Sequence, residues 1–310
     1  MKYSYLIIFS FLFILQAQAQ RKSKDTLVRF FDGNLEVTTK KQAVFAGVIV
    51  RDVEGWNCLI YDDSMRIIVR GKYADMDCKV KEGWFMYYYA DGKRASGGRY
   101  TKNVRHENWK AWHENGQLKD SVVYYMGTIQ GPAKSFHENG NPSSEGNYVL
   151  GQYDGPWTFY HENGLPSTKE VYKASKLADL ECFDTTGASL GLNCGISRPP
   201  VIKGKYGGLE QYLADSIKPV KRLNGERVEG VVTVQFTITK EGQMQGFRIL
   251  NSADGLLSKE VYRVISSIRE WYPAVSHNRL VDHTFMLSIP FFEQNDNDQP
   301  FMPMENPFEF

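Results

Sequence analysis

The sequence predicts an α+β chain: an antiparallel β-hairpin repeat array followed by a small α+β carboxy-terminal domain. Three observations predict this. Asn115-Gly116, Asn139-Gly140 and Asn163-Gly164 recur every 24 residues, with Asp91-Gly92 one step earlier. Aromatic residues keep the same step, with Tyr88, Trp112, Phe136 and Tyr160 in one column and Tyr100, Tyr124, Tyr148 and Tyr172 in another. After Pro199-Pro200 the repeat stops, and helical and period-two patterns replace it.

The first 19 residues have the layout of a secretory signal peptide. Lys2 gives a positive start, Leu6 to Leu15 is apolar apart from Ser10, and Ala17-Gln18-Ala19 offers a cleavage site after Ala19. A membrane-spanning helix needs about 20 apolar residues. Residues 3–15 are shorter than that, and the alternative is an uncleaved inner-membrane anchor. The expected location is therefore the periplasm or the outer membrane. The formal net charge of +1 argues against a nucleic-acid partner, which calls for a basic stripe. An aromatic fraction of 14%, mostly Tyr and Phe, favours β-structure.

An even number of cysteines in an exported chain points to disulfides. Local spacing pairs Cys58 with Cys78 and Cys182 with Cys194, with buried free thiols as the alternative. No C-x-x-C or paired Cys/His spacing indicates structural zinc.

Residues 20–45 are expected to cap the array, with a turn at Asp32-Gly33. The repeats run over 46–190. Asn-Gly favours positive φ at two successive residues, the tight turn of a hairpin. Each repeat thus reads as strand, turn, strand, and stacking neighbours bury what one hairpin cannot. Met65 stands where the turn Gly would be in a degenerate early copy, and Phe183 to Gly187 reads as a final half copy. The third full repeat carries Ala133 and Ser135 where its neighbours have larger residues. His113, His137 and His161 each begin a His-Glu-Asn-Gly string. Equivalent residues two strands apart are separated by about 9.5 Å, whereas a zinc–nitrogen bond is about 2 Å. The histidines therefore read as turn residues, with no metal expected.

Asn108-Trp109…Trp112…Asn115-Gly116 and Gly155-Pro156-Trp157…Tyr160…Asn163-Gly164 resemble the bacterial variant of the MORN-type repeat. Members of that family have been labelled antitoxins or lipid-binding modules, and an export signal makes a cytoplasmic antitoxin role a poor fit.

Residues 191–206 read as a linker. The domain over 198–292 reads helix, strand, strand, helix, strand. Leu209, Tyr212, Leu213 and Ile217 share one helical face, and Leu257, Val261, Val264, Ile265 and Ile268 share another. Val232, Val234, Phe236 and Ile238 alternate with polar residues, as do Phe285, Leu287, Ile289 and Phe291.

Several motifs in order resemble the TonB C-terminal domain family. They are Gly207-Gly208, Gly230-Val231-Val232-Thr233-Val234-Gln235-Phe236, Glu241-Gly242-Gln243, Leu256 to Ile265, Trp271-Tyr272-Pro273 and Ile289-Pro290-Phe291. The resemblance implies capture of a receptor segment as an added strand at the sheet edge. The implied edge is His283, Thr284, Phe285, Met286, Leu287, Ser288 and Ile289, and the implied partner is a TonB-dependent outer-membrane receptor. The aromatics Phe285, Phe291 and Trp271 read as core rather than contacts. The alternative function is a membrane-anchored energy transducer for outer-membrane uptake. Such a transducer needs a long Pro-rich arm, yet only Pro132, Pro142, Pro156 and Pro166 precede Pro199.

Residues 293–310 are acidic, carry no Lys or Arg, and read as a disordered tail. The motifs H-E-x-x-H, G-x-x-x-x-G-K-[ST] and G-x-G-x-x-G do not occur. The sequence therefore predicts a binding protein rather than an enzyme, with no cofactor and no evident small-molecule substrate.

Overall fold

The computed structural model describes residues 26–292 except 193 and 205–207. The expected signal peptide, the acidic tail and Gly207 lie outside the described residues. The chain divides into two compact units between Leu192 and Asn193.

The first unit is one antiparallel sheet. Its strands are β1 (Thr26–Phe31), β2 (Val37–Thr38), β3 (Phe45–Asp52), β4 (Gly55–Tyr61), β5 (Ile67–Tyr73), β6 (Lys81–Tyr88), β7 (Arg94–Thr101) and β8 (Val104–Trp112). They continue as β9 (Leu118–Tyr125), β10 (Thr128–Ile129), β11 (Gly131–Phe136), β12 (Pro142–Val149), β13 (Gln152–Tyr160), β14 (Pro166–Lys173), β15 (Lys176–Phe183) and β16 (Ser189–Gly191). From β3 onward neighbours in sequence are neighbours in the sheet, apart from β10, which branches off β9. The first strands extend the array through β3–β1–β2. The outermost strands are short, β2 with two residues and β16 with three, which limits edge-to-edge pairing with other chains.

Two kinds of turn alternate along the array. At Asn115-Gly116 the Gly116 N–H donates to the His113 carbonyl (2.8 Å) and the His113 N–H to the Gln117 carbonyl (2.8 Å). Gly92, Gly116, Gly140, Gly164 and Gly187 have positive φ, and Met65 takes that conformation in the degenerate copy. The preceding Asn115, Asn139 and Asn163 do not. The expected pair of positive φ values is thus corrected to a longer turn with one left-handed residue and a bulge. The two-residue turns with two positive φ values lie at the opposite strand ends. They are Lys102-Asn103, Met126-Gly127, Leu150-Gly151 and Ala174-Ser175, again 24 residues apart.

The Asn side chain is chosen for its two ends. Asn115 Oδ1 accepts from the Gln117 N–H (2.9 Å), and Nδ2 donates to the Glu138 carbonyl of the next repeat (2.6 Å). Asn139 repeats this with Asn141 and Glu162, and Asn163 with Leu165 and Thr185. Asp91 has no donor, and Lys93 Nζ supplies the bond to the Glu114 carbonyl instead (2.8 Å).

The histidines form a second ladder beside it. Nε2 of His113, His137 and His161 meets the carbonyls of Phe136 (2.8 Å), Tyr160 (2.9 Å) and Phe183 (3.1 Å). A carbonyl only accepts, so each Nε2 carries the proton. The His-Glu-Asn-Gly string is therefore an inter-repeat fastener.

Aromatic rings cover one face of the sheet, each lying over a residue of the preceding strand. A Cβ on Gly98 would lie 2.4 Å from the Trp109 ring, and one on Gly146 2.1 Å from the Trp157 ring. The indole N–H groups donate to the Arg99 (2.9 Å) and Asn147 (3.0 Å) carbonyls. One repeat between them, Val122 stands at the glycine position and Ala133 at the tryptophan position, and Val122 packs against the cluster that holds Ala133. The third repeat thus fills the same space with the large and small roles exchanged.

Cys58 and Cys78 lie in the apolar cluster of the early repeats, with Phe31, Ile49, Ile60, Val69, Tyr73 and Phe85. The expected bridge between them is open. Both are buried free thiols, packed as small apolar groups. Cys182 and Cys194 are disulfide-bonded.

The second unit contains β17 (Ser197–Arg198), β18 (Val201–Ile202), α1 (Gly208–Ser216), β19 (Gly230–Ile238) and β20 (Met244–Ser252). It continues with α2 (Gly255–Ser266), β21 (Trp271–Tyr272), β22 (Ala274–Ser276), β23 (Arg279–Val281) and β24 (His283–Phe291). The principal sheet has the order β20–β19–β24. The short strands form a β17–β22–β23 sheet and a β18–β21 pair, which the expected pattern lacked. Asp254 caps α2 by accepting from the Leu256 N–H (2.8 Å). The apolar faces of both helices and of β19 and β24 share one core, including Trp271 at 2% exposure.

Two predictions follow from the array. Ala133→Trp alone overpacks the third repeat and costs about 1–3 kcal/mol. Adding Val122→Gly recreates the glycine–tryptophan pairing, and urea unfolding of the double variant recovers most of that loss. His137→Ala removes one inter-repeat bond and lowers stability by about 0.5–1.5 kcal/mol; an unchanged urea midpoint contradicts the fastener role.

Candidate partner-binding edge

The sheet of the second unit places β24 at an edge because, among the described residues, only β19 neighbours it. β19 is the central strand, and Val232, Val234, Phe236 and Ile238 on it are wholly buried. β24 pairs with it over nine consecutive positions, from Gly230↔Phe291 to Ile238↔His283, without a register shift. Asp282 fixes the start of β24 by accepting from the Lys240 N–H (2.7 Å).

The seven residues expected at the edge all lie on β24, and the pleat divides them. Leu287 (5% exposed) and Ile289 (1%) are core residues, and Phe285 packs against the same cluster. The Phe285 ring lies 5.2 Å from Phe236 and 5.9 Å from Trp271. His283 meets the edge of Phe285 at 4.7 Å. Thr284, Met286 and Ser288 occupy the other face, where Met286 is 41% exposed. Thr284 Oγ1 bonds Thr237 Oγ1 (2.8 Å), and Ser288 Oγ bonds Thr233 Oγ1 (3.1 Å).

Pro290 fixes the direction of the backbone groups. It has no N–H, so the Val231–Pro290 pair cannot exchange two hydrogen bonds. It is therefore a non-hydrogen-bonded pair, and the two classes alternate along an antiparallel ladder. The backbones of His283, Phe285, Leu287, Ile289 and Phe291 consequently bond to β19. The N–H and C=O groups of Thr284, Met286 and Ser288 point away from it, toward the edge. The close hydroxyl pairs at Thr284 and Ser288 fit this phase, because side chains approach nearer in non-hydrogen-bonded pairs.

The opposite edge is built differently. β20 shifts register twice against β19, between Thr233 and Val234 and between Gln235 and Thr237. Gly246 supplies positive φ (63°) at the second irregularity. Bulges of this kind twist an edge away from further pairing. The unit therefore has one guarded edge and one straight edge. The seven-residue expectation missed Pro290, although proline in a strand is itself an edge signal.

Behind the sheet, Glu260 joins the helices. It accepts from the Lys218 N–H (2.8 Å) and pairs with Arg263 (2.6 Å). The Arg263 guanidinium, with the Lys218 N–H, holds the Glu260 carboxyl below its ordinary range. No helix among the described residues is long and apolar enough to cross a membrane.

Comparison with known proteins gives two family matches. A search of curated proteins returns no match. Residues 129–149 match the MORN repeat variant, spanning β11, β12 and their turn. Residues 221–292 match the Gram-negative bacterial TonB protein C-terminal, from before β19 to the end of β24. The chain thus joins a MORN-type repeat array to a TonB-type carboxy-terminal domain.

Proposed function

We propose that this protein is an exported cell-envelope adaptor. Its carboxy-terminal unit captures an extended segment of a TonB-dependent outer-membrane receptor, or a similar strand donor, as a fourth strand on β24. The straight edge carries this reading. Nine ladder positions run without a bulge, and three outward residues offer paired donors and acceptors. Strand addition draws affinity from the main chain and selectivity from alternate side chains. Met286 is the most exposed of the seven edge residues and would meet the incoming side chains. Pro290 contributes a carbonyl but no donor, so full pairing ends near Ser288. Export by the amino-terminal signal peptide would bring this edge to the envelope.

Backbone phase is readable in the free protein. Amide exchange followed by NMR should find Phe285, Leu287 and Ile289 slow and Thr284, Met286 and Ser288 fast. Addition of purified receptor should slow the second set. Uniform exchange in the free protein contradicts the phase, and no slowing with receptor contradicts the binding mode.

Met286→Pro removes an outward donor while leaving the bonds to β19. It should weaken receptor binding by about tenfold, equivalent to about 1.4 kcal/mol, with far-UV circular dichroism unchanged. Wild-type affinity in this variant argues against pairing at Met286. Retention of the full-length chain in the inner membrane with an intact amino terminus would favour the transducer instead.

A further inference from the structure

The two-residue connections of the repeat array have one exception. Val53-Glu54, Lys102-Asn103, Met126-Gly127, Leu150-Gly151 and Ala174-Ser175 each join two strands of the array. Between β5 and β6 the chain instead runs through residues 74–80. The extra residues build a fixed loop. The Asp75 carboxylate accepts from the backbone N–H groups of Asp77 (3.0 Å), Lys79 (3.2 Å) and Val80 (2.7 Å). Asp77 pairs with Arg29 on β1 (3.1 Å), and Asn103 Nδ2 donates to the Lys79 carbonyl (3.0 Å). Cys78 adopts positive φ (56°), a conformation that costs a non-glycine residue energy. The result is a cysteine on a loop turned inward, at 7% exposure, against Cys58 on β4 at 1%.

We propose that Cys58 and Cys78 are a redox couple whose reduced form the structure shows, and that oxidation in the envelope closes the loop onto β4 as a covalent clamp. In the closing step each thiol loses its proton, and a bond forms between Cys58 Sγ and Cys78 Sγ. The two electrons pass to the disulfide of a thiol–disulfide exchange protein, which is reduced to its dithiol. A mixed disulfide is the intermediate. The inserted loop has no other evident task, since the other connections at this end of the strands need two residues. Gly47 leaves room beside Cys58, since a Cβ there would lie 3.3 Å from Cys58 Sγ and 2.7 Å from the Phe31 ring.

Burial sets the timing. The contact with Cys78 and the apolar surroundings push the Cys58 thiol far up, so thiolate is scarce in the folded state. Exchange therefore occurs while the loop is open, during folding after export. The closed bond is then shielded from reductants until the first repeats open.

The test uses the full chain secreted into an oxidising periplasm and the same chain reduced in vitro. Thiols are blocked under denaturing conditions and mapped by peptide mass spectrometry, with Cys182–Cys194 as the internal control. The expected result is a Cys58–Cys78 cross-linked peptide in the secreted protein. Free thiols at both positions beside an intact Cys182–Cys194 bridge overturn the proposal, as does any other pairing. Urea unfolding gives a second reading. The secreted wild type should unfold at a higher midpoint than secreted Cys78→Ser. The two midpoints should converge once reductant opens the bond in the unfolded chains. Equal midpoints in the secreted proteins contradict a closed clamp.

Discussion

Backbone hydrogen bonding is the constraint on which the rest of this protein depends. Every buried N–H and C=O group needs a partner, and a sheet leaves such groups open only at its edges. The repeat array removes nearly all of them by adding hairpin to hairpin, and ends in strands of two and three residues. The carboxy-terminal unit treats its two edges unequally. β20 is bulged at two places, whereas β24 is straight over nine residues. A fold that disarms one edge and leaves the other intact has kept a surface on which a strand can be added. Pro290 then sets both the phase and the end of that surface.

The array shows how a repeat becomes cooperative. Its string of His, Glu, Asn and Gly looks like chemistry in sequence but acts as carpentry. Histidine and asparagine reach across to the next turn's carbonyls, and glycine supplies the left-handed residue. The aromatic face depends on a size rule between neighbouring strands, glycine under tryptophan. The third repeat satisfies it by exchange, Val122 against Ala133. The matched MORN segment, residues 129–149, includes Ala133, so weaker aromatic content has not erased the motif.

Much of this was legible in the sequence because it is periodic. The 24-residue step located the turns, and two-residue alternation placed β19 and β24. The apolar helical faces at Leu209–Leu213 and Leu257–Ile265 are buried as their spacing required. What escaped was local geometry without a compositional mark. Asn-Gly predicts two positive φ values, but the flanking bulge needs only one. The turns at Lys102-Asn103 and Ala174-Ser175 carry no glycine, so their tight geometry had no signal. The short strands β17, β18 and β21–β23 hold two or three residues each, too few for a period. Spacing drew Cys58 to Cys78, but it could not say whether neighbouring thiols are joined. The straightness of β24 depends on register against β19, a long-range property that neither strand displays alone.

The central claim is that partner binding occurs on β24 and not on β20. Site-specific photo-crosslinking in intact cells tests it most directly, with a photoreactive phenylalanine analogue placed at Met286 or, in a second strain, at Arg248 on β20. The account predicts a discrete cross-linked species containing an outer-membrane receptor from position 286 and none from position 248. Cross-linking from 248 alone, or from neither position in cells that express the receptor, would contradict it.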